Sequence, residues 1–218
     1  MGRYFEEGWD IMGYDFLYDV PAWTEDDPGC QDWDYGWLGN RWCDTPDDSN
    51  IGEGADSWEK WDGCAPIAGS MIVAYDTGHT SSLSKKYFID KLHLSMDTRD
   101  DGITLPGNMG DGFEEIGVLG YGPWEASVQN VWTDNHLKNQ INNGRPLLIN
   151  MLHGGEGPDD TEDDGTDTYG DHTCTVVGYS DGDWWKNIIL HNTWDDGSHY
   201  FDWGNWWASS LVRTWYHG

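Results

Sequence analysis

The sequence has few basic residues and no long hydrophobic run. It contains 11 Lys and Arg against 40 Asp and Glu, which gives a formal net charge of −29 over 218 residues. Such a charge repels nucleic-acid phosphates and anionic lipid head groups, so we exclude nucleic acid and membrane as partners. No segment approaches the ~18 apolar residues of a membrane-spanning helix. The first residues also lack the apolar stretch of a signal peptide. A secreted chain from which the signal peptide had been trimmed would lack this stretch as well.

The excess of acidic residues has two explanations. An acidic surface keeps a protein hydrated and soluble in brine, and it also attracts cationic substrates. The acidic residues are spread along the whole chain rather than gathered in one segment, which favours salt adaptation. We therefore expect an extracellular or cell-surface protein of a salt-adapted microbe. The aromatic content of 15% argues against the disorder that usually accompanies high net charge.

Cysteine is also scarce. The chain has 4 cysteines, and no two of them form a Cys-x-x-Cys pair, which argues against a structural zinc site. Cys30 and Cys43 enclose a short loop rich in Trp, Asp and Gly. They are either a disulfide formed in an oxidising compartment or two unpaired thiols. Cys64 and Cys174 belong to a different pattern.

The order of the predicted elements indicates an α+β protein. Residues 1–55 form an irregular, partly stranded N-terminal extension, with one short strand within 14–20, and residues 56–218 form the core of a single domain. Helical spacing and end signals predict helices at 64–76, 82–96, 109–119 and 134–143, the last with Asp134 as its N-cap. Short apolar runs then predict strands at 146–152, 173–179, 187–191 and 212–216. Helices followed by strands are typical of the α+β class.

Three polar residues follow one another in an order that suggests thiol chemistry. Cys64 stands at the predicted start of a helix, where free N–H groups and the helix dipole favour a thiolate. His172 opens a predicted strand, and Asn192 follows the next strand, two residues before Trp194. Each residue alone is more simply a buried cysteine, a structural histidine or a turn asparagine. Together they supply a nucleophile, a base and a group that orients the base.

The segments around these residues resemble the papain-like cysteine peptidase superfamily, and most closely the C39-like peptidases. The resemblance covers about 63–195 and rests on four segments, namely Gly63-Cys64-Ala65-Pro66-Ile67-Ala68, Gly144-Arg145-Pro146, Gly170-Asp171-His172 through Gly178-Tyr179, and Asn192-Thr193-Trp194. A fifth segment, Met96-Asp97-Thr98 with Gly102-Ile103-Thr104, is similar to the region between these motifs in microbial C39-like sequences.

The resemblance implies a papain-like fold in which a helical part carrying the nucleophile packs on an antiparallel sheet carrying the base. Cys64 would attack the carbonyl of a peptide or related amide and form a thioester. His172 would take the thiol proton and give one to the leaving amine, while Asn192 holds the imidazole and Trp194 shields that contact. The partner would be a peptide or protein substrate, and no cofactor is required.

Two positions depart from the papain pattern. Papain relatives carry a Gln about six residues before the cysteine, where this chain has Ser57-Trp58-Glu59. The oxyanion donors would then be the Cys64 backbone N–H with the Trp58 indole or the Ser57 hydroxyl. Asp171 directly precedes the base and forms a cleft wall with Trp194. A carboxylate there raises the pKa of the imidazole if the two groups approach each other.

Other segments suggest alternative functions. Asp160, Glu162, Asp164 and Asp171 loosely match the spacing of a calcium loop, so the acidic segment 159–171 is either a Ca²⁺ site or a solvated loop. The Trp clusters at 184–185 and 203–207 either form core and cleft wall or stack on sugars. A non-catalytic papain-like module that binds peptide or glycan through a Trp-rich cleft is therefore the alternative function, and acyl transfer is a third.

Overall fold

The centre of the structure is a seven-stranded antiparallel sheet. It is seen in a computed structural model that describes residues 13–24, 31–34, 41–44, 63–99, 102–131, 133–155, 169–182 and 186–218, the second and third of these ranges as backbone only. Helices pack on the sheet, so the protein has the α+β fold that the sequence predicts.

The strand order in the sheet is β4-β9-β5-β6-β7-β8, and β1 pairs with β6. The strand bounds are β1 Gly13–Phe16, β2 Gln31–Asp34, β3 Arg41–Asp44, β4 Trp124–Asn130, β5 Leu147–Gly154, β6 Gly170–Asp181, β7 Lys186–His191, β8 His199–Asp202 and β9 Ala208–Tyr216. Among the described strands, β2 and β3 pair with each other as a separate two-stranded sheet.

β6 is the most enclosed strand of the sheet. Its first half pairs with β5, its second half pairs with β1, and β7 runs along its other side. Residues 172–180 of β6 are all buried. Other strands flank β6 on both sides, and packed residues cover both of its faces. Its sequence is therefore a nearly continuous apolar run rather than an alternation of apolar and polar residues.

Four α-helices lie in the described ranges: α1 Cys64–Thr77, α2 Ser82–Ser95, α3 Pro106–Ile116 and α4 Asn135–Asn142. α1 ends at Gly78, whose φ of 71° is the left-handed conformation that glycine adopts easily. α2 begins at Ser81, whose side chain accepts a hydrogen bond from the backbone N of Ser84 at 3.1 Å.

The two faces of the sheet bury different apolar clusters. One cluster joins α1, α2 and α3 to the sheet and includes Val20 and Trp23, so residues 13–24 of the N-terminal region belong to the packed body. The other cluster lies on the opposite face and joins Leu137 and Ile141 of α4 to strands β5–β9. β6 contributes to both, with Val177 in the first and Val176 in the second.

Some elements differ from the sequence expectation. α3 begins three residues earlier than expected because Pro106 stands in its first turn, where proline needs no hydrogen-bond donor. It passes into a π-helical turn at Gly117–Tyr121. Strands β4 and β8 were not expected; β4 is largely polar and half exposed, and β8 has 4 residues. Both lie at the edges of the sheet, where sequence patterns are weakest.

A cluster of charged side chains joins α4 to the end of β6. The Asp134 carboxylate lies 2.6 Å from the Lys138 ammonium and 2.8 Å from that of Lys186, and Lys138 also pairs with Asp181. Asp134 stands at the N-cap position, as expected, but its side chain makes no capping bond. Burial alone would raise the pKa of Asp134, but the hydrogen bonds from both lysines outweigh it and the pKa lies below its ordinary value.

Candidate active site

Cys64 is the first residue of α1, and a glycine fixes its position. Gly63 has a φ of 93°, and a Cβ atom built on it would lie 2.6 Å from the carbonyl oxygen of Gly102. A larger residue would therefore strain the backbone and collide with a neighbouring backbone atom. The glycine lets the chain turn sharply into the helix, so that Cys64 stands at the N-terminus of α1. Cys64 itself is 9% exposed.

The segment that supports Gly63 is one of those that carry the family resemblance. The Thr98 hydroxyl lies 2.8 Å from that of Thr104, and both side chains are buried. The backbone N of Gly102 donates to the carbonyl of Arg99 at 2.7 Å, and the N of Arg99 donates to that of Ile103. These bonds hold the carbonyl of Gly102 against Gly63. This segment therefore supports the start of α1.

His172 lies near the beginning of β6, and its imidazole is held by a backbone carbonyl. Its Nε2 is 2.6 Å from the carbonyl oxygen of Asn192, and the side chain is 3% exposed. Because a carbonyl oxygen can only accept a hydrogen bond, Nε2 must carry the proton. In the neutral imidazole this leaves the lone pair on Nδ1.

The side chain of Asn192 is hydrogen-bonded to the turn that follows it. Its Oδ1 accepts hydrogen bonds from the backbone N atoms of Trp194 at 3.0 Å and Asp195 at 3.3 Å. The main chain of Asn192 thus contacts the imidazole, while its side chain stabilises the following turn. Thr193 has a φ of 72°, which is rare for a β-branched residue, and its hydroxyl lies 3.4 Å from His172 Nε2.

Trp194 covers one face of the base. Its ring stacks on that of His172 with centroids 4.4 Å apart and planes at 27°, and it also stacks on Tyr169 at 5.2 Å. The indole is nevertheless 42% exposed, so it forms both the cover of the imidazole and part of the adjacent surface. The strained turn at Thr193 brings this ring and the Asn192 carbonyl to the same imidazole.

Cys174 belongs to the site although sequence reasoning gave it no role there. It lies two residues after His172, and because side chains alternate along a strand, the two share a face of β6. Its side chain is fully buried and is hydrogen-bonded with that of His172. Burial raises the pKa of Cys174, the imidazole of His172 opposes this shift, and Cys64 adds to it. The spacing of two residues was the available signal.

Asp171 lies on the other face of β6 from the base. Its carboxylate accepts a hydrogen bond from the backbone N of His153 at 3.0 Å, at a bulge in β5 where His153 has a φ of 48°. The side chain is 65% exposed. This contact stabilises the bulge and directs the carboxylate away from His172.

Several expected site residues lie outside the described part of the chain. These are the oxyanion donors Ser57 and Trp58, the acidic residues Asp160, Glu162 and Asp164, and Cys30, while Cys43 lies in β3, where only the backbone is described.

Within the described ranges, no three His, Cys, Asp or Glu side chains form a group that could hold a metal ion. Nor does any helix in those ranges have the length and apolar character needed to cross a membrane.

Comparison with known proteins decides the family. The sequence profile of the Peptidase_C39 like family matches residues 53–215. The chain belongs to the Peptidase_C39 like family. The matched region contains α1 with Cys64, the segment that supports Gly63, β6 with His172, and the turn after Asn192. It extends beyond residues 63–195, the range that the motifs alone indicated. No curated protein matched the sequence significantly.

Proposed function

We propose that the protein is a cysteine-dependent hydrolase that cleaves a peptide or related amide bond. Cys64 is the nucleophile, His172 is the general base and acid, and Asn192 orients the imidazole. The observation that carries the proposal is the 2.6 Å contact between His172 Nε2 and the Asn192 carbonyl. It selects the tautomer in which Nδ1 can take a thiol proton. Membership of a peptidase family supports the same chemistry.

The reaction follows from this tautomer. The Cys64 thiol gives its proton to His172 Nδ1, and the sulfur attacks the substrate carbonyl carbon. The resulting imidazolium, with protons on both nitrogens, gives one to the leaving amine as the thioester forms. His172 then takes a proton from water, which attacks the thioester; the C–S bond breaks, the acid is released, and the imidazolium returns the proton to the Cys64 sulfur. Throughout, the Asn192 carbonyl accepts from Nε2, which stabilises the imidazolium.

The oxyanion is stabilised at the start of α1. The first N–H groups of a helix have no partner within the helix, and Cys64 is the first residue of α1. In the proposed reaction, the Cys64 N–H donates a hydrogen bond to the carbonyl oxygen that becomes negative. We retain Trp58 and Ser57 as the proposed source of a second donor, since they precede the cysteine where papain relatives place a glutamine.

A peptide-cleavage assay in high salt tests the proposal. The wild type and Cys64→Ser are incubated with a mixed peptide library, and new termini are identified by mass spectrometry. We expect cleavage by the wild type only, with hydroxylamine releasing hydroxamates from the trapped thioester. Cleavage by Cys64→Ser at the wild-type rate, with both proteins folded, would refute the assignment. Addition of an amine acceptor in the same assay detects acyl transfer.

A non-catalytic binding module is the second candidate, and two observations favour it. Cys64 is only 9% exposed, while Trp207 is 77% exposed and lies 6.2 Å from the ring of His153. A buried thiol beside exposed aromatic rings suits a surface that binds peptide or glycan without cleaving it. Retention of oligosaccharides or peptides by both wild type and Cys64→Ser, without cleavage by either, would favour this function.

Two further proposals concern the environment of the protein. We propose that it is a secreted or cell-surface protein of a salt-adapted microbe, because of its net charge of −29. We also propose that segment 159–171 binds Ca²⁺ and thereby orders the approach to β6, which begins at Gly170. Calorimetric titration with Ca²⁺ tests the second proposal, and an absence of binding heat would refute it.

A further inference from the structure

Three polar side chains form a row across the face of the sheet on which α1 and α3 pack. Asn150 of β5 pairs directly with Thr173 of β6 on one side and with Ser210 of β9 on the other. Residues that pair directly across strands share a face of the sheet. It is the face of Leu148, which lies two residues before Asn150 and belongs to the apolar cluster under the helices. We call Thr173, Asn150 and Ser210 the polar row.

The polar row lies on the sheet at the height of Cys64. The Thr175 hydroxyl donates to the carbonyl of Ala68 in α1 at 2.8 Å. From this bond, Cys64 lies about 6 Å back along the helix, and Thr173 lies about 7 Å back along β6. The last turn of α1 carries a carboxylate that interacts with Arg145, which precedes β5. The first turn of α1 therefore points toward the opposite end of β5, where the polar row crosses.

The start of α3 reaches the same row from the other side. α3 packs on β4, where a Cβ atom built on Gly110 would lie 2.9 Å from the Val128 side chain, and the residue after α3 contacts the beginning of β4. Its start therefore points toward Asn130 at the end of β4, and Asn130 pairs with Ser210. The segment before α3 also contacts Gly63. The polar row is thus the floor between the starts of α1 and α3.

The polar row has hydrogen-bonding groups to spare. The Thr173 hydroxyl donates to Oδ1 of Asn150 at 2.8 Å, which fixes the amide and leaves its two N–H donors for another acceptor. The Ser210 hydroxyl is buried, and among the described residues it has no hydrogen-bond partner. Ser210 as a whole is 6% exposed, while Asn150 is half-buried, so the row is open at its centre. A buried hydroxyl without a partner is rare in proteins, and here it lies beside an opening that a ligand can enter.

We propose that the polar row is a specificity-determining subsite that binds the carboxamide side chain of Asn or Gln in a peptide substrate. The carboxamide oxygen accepts from Nδ2 of Asn150, and the carboxamide nitrogen donates to the Ser210 hydroxyl oxygen. An apolar side chain leaves both groups unpaired. A carboxylate is repelled by a chain with a net charge of −29, although the two helix starts attract it, so glutamate is the competitor to test. The inference deepens the proposed function, since it rests on Cys64 acting on a peptide beside this row.

The test is selection of peptides by the full chain carrying Cys64→Ser, which binds substrates without the thiol that cleaves them. The probes are libraries of six-residue peptides in which each position in turn is fixed as Gln, Glu or Met, three side chains of similar size. Bound peptides are quantified by mass spectrometry in high salt. At one position we expect Gln to be enriched about 10-fold over Met, because the hydrogen bonds are made with Gln alone, and also over Glu.

Substitutions in the polar row should remove this preference. Asn150→Leu keeps the size of the side chain and removes the amide, so Met should become the preferred residue. Ser210→Ala removes only a hydroxyl and should lower the enrichment of Gln in a chain that folds even where Asn150→Leu does not. Ser209→Ala is the matched control and should keep the preference. Its hydroxyl also has no partner among the described residues, but it lies one residue along β9 and therefore on the other face of the sheet.

The inference is overturned by equal binding of Gln and Met at every position, by a preference for Glu over Gln, or by the absence of any bound peptide. It is also overturned if Ser209→Ala and Ser210→Ala lose the preference equally. Because the readout is binding, it is independent of cleavage. Selection of Gln by a protein whose wild type cleaves no peptide would retain the subsite and lose the hydrolase activity. Cleavage by the wild type without selection of Gln would do the reverse.

Discussion

The two ends of strand β6 lie in different chemical environments. At its beginning, His172 is held by a carbonyl, a thiol and a stacked indole. At its end, Asp181 joins a cluster of charged side chains with Lys138 and Asp134. His172 and Asp181 are nine residues apart, which corresponds to about 30 Å along a strand at ~3.3 Å per residue. The groups around His172 are suited to chemistry, while the charged cluster around Asp181 is suited to stabilising the fold. Because the two are far apart, substitutions can change one without changing the other.

Loss of the nucleophile should give the largest effect at the beginning of β6. We expect Cys64→Ser to lower kcat/KM for peptide cleavage by about 10³-fold or more, because the hydroxyl is a far weaker nucleophile than the thiol. The melting temperature should stay close to that of the wild type, since the two side chains differ little in size. Activity and thermal unfolding are measured on the same preparation. A variant that keeps the wild-type kcat/KM would contradict the proposal that the reacting groups lie at the beginning of β6.

Removal of the indole cover should have the next largest effect. Trp194→Ala leaves one face of the His172 ring without its stacking partner, so the imidazole loses its fixed orientation. We expect kcat/KM to fall by about 10²-fold, as small misplacements of a catalytic group do. Trp207→Ala is the matched control, because that indole is 77% exposed and contacts His153 instead. Equal losses in both variants would show that general aromatic surface, not the stack, matters.

The end of β6 should respond in stability rather than in activity. Lys138→Met removes the cation that lies between Asp134 and Asp181 and leaves two carboxylates facing each other. We expect the free energy of unfolding to fall by about 1–3 kcal/mol at low salt, and by less in concentrated salt, where the repulsion is screened. Urea unfolding at both ionic strengths measures this. The kcat/KM of the folded variant should equal that of the wild type; a large fall would mean that the two ends are coupled.

The far end of α1 offers the smallest effect, and it depends on pH. Asp76 lies near the end of the helix that begins at Cys64, and burial raises its pKa to about 6, although Arg145 nearby opposes the shift. The folded chain therefore binds this proton more tightly than the unfolded chain, whose carboxyl titrates near 4. Stability should decrease as pH rises from about 4 to about 6 and then remain level. Asp76→Asn should remove this component in melting curves taken across that range; an unchanged slope would contradict the assignment.

Sequence patterns predicted those parts of the fold whose causes are local. The start of α1 follows from Gly63, Cys64 and Pro66, and the end of that helix follows from Gly78; the structure agrees at both positions. Strands β5, β6 and β7 follow from apolar runs. β4 and β8 were missed because edge strands depend on pairing with neighbours, which a local pattern does not record.

The sequence predicts which residues form the candidate site but not the contacts that they make. The chain order of Cys64, His172 and Asn192 selected the three segments, yet which atom of Asn192 meets the imidazole depends on the left-handed turn at Thr193. No propensity favours that conformation for threonine. Cys174 was missed as a site residue for a related reason, because its contact with His172 exists only once the strand has formed.

The central claim is that Cys64 and His172 form an activated pair, and thiol alkylation tests it most directly. The rate of iodoacetamide labelling at Cys64 is measured against pH in high salt, for the wild type and for His172→Ala. We predict fast labelling of the wild type that persists well below the free-thiol pKa of about 8.5, and its loss in the variant. Slow labelling with the same ordinary thiol pH dependence in both proteins would contradict the claim and leave the binding module as the function.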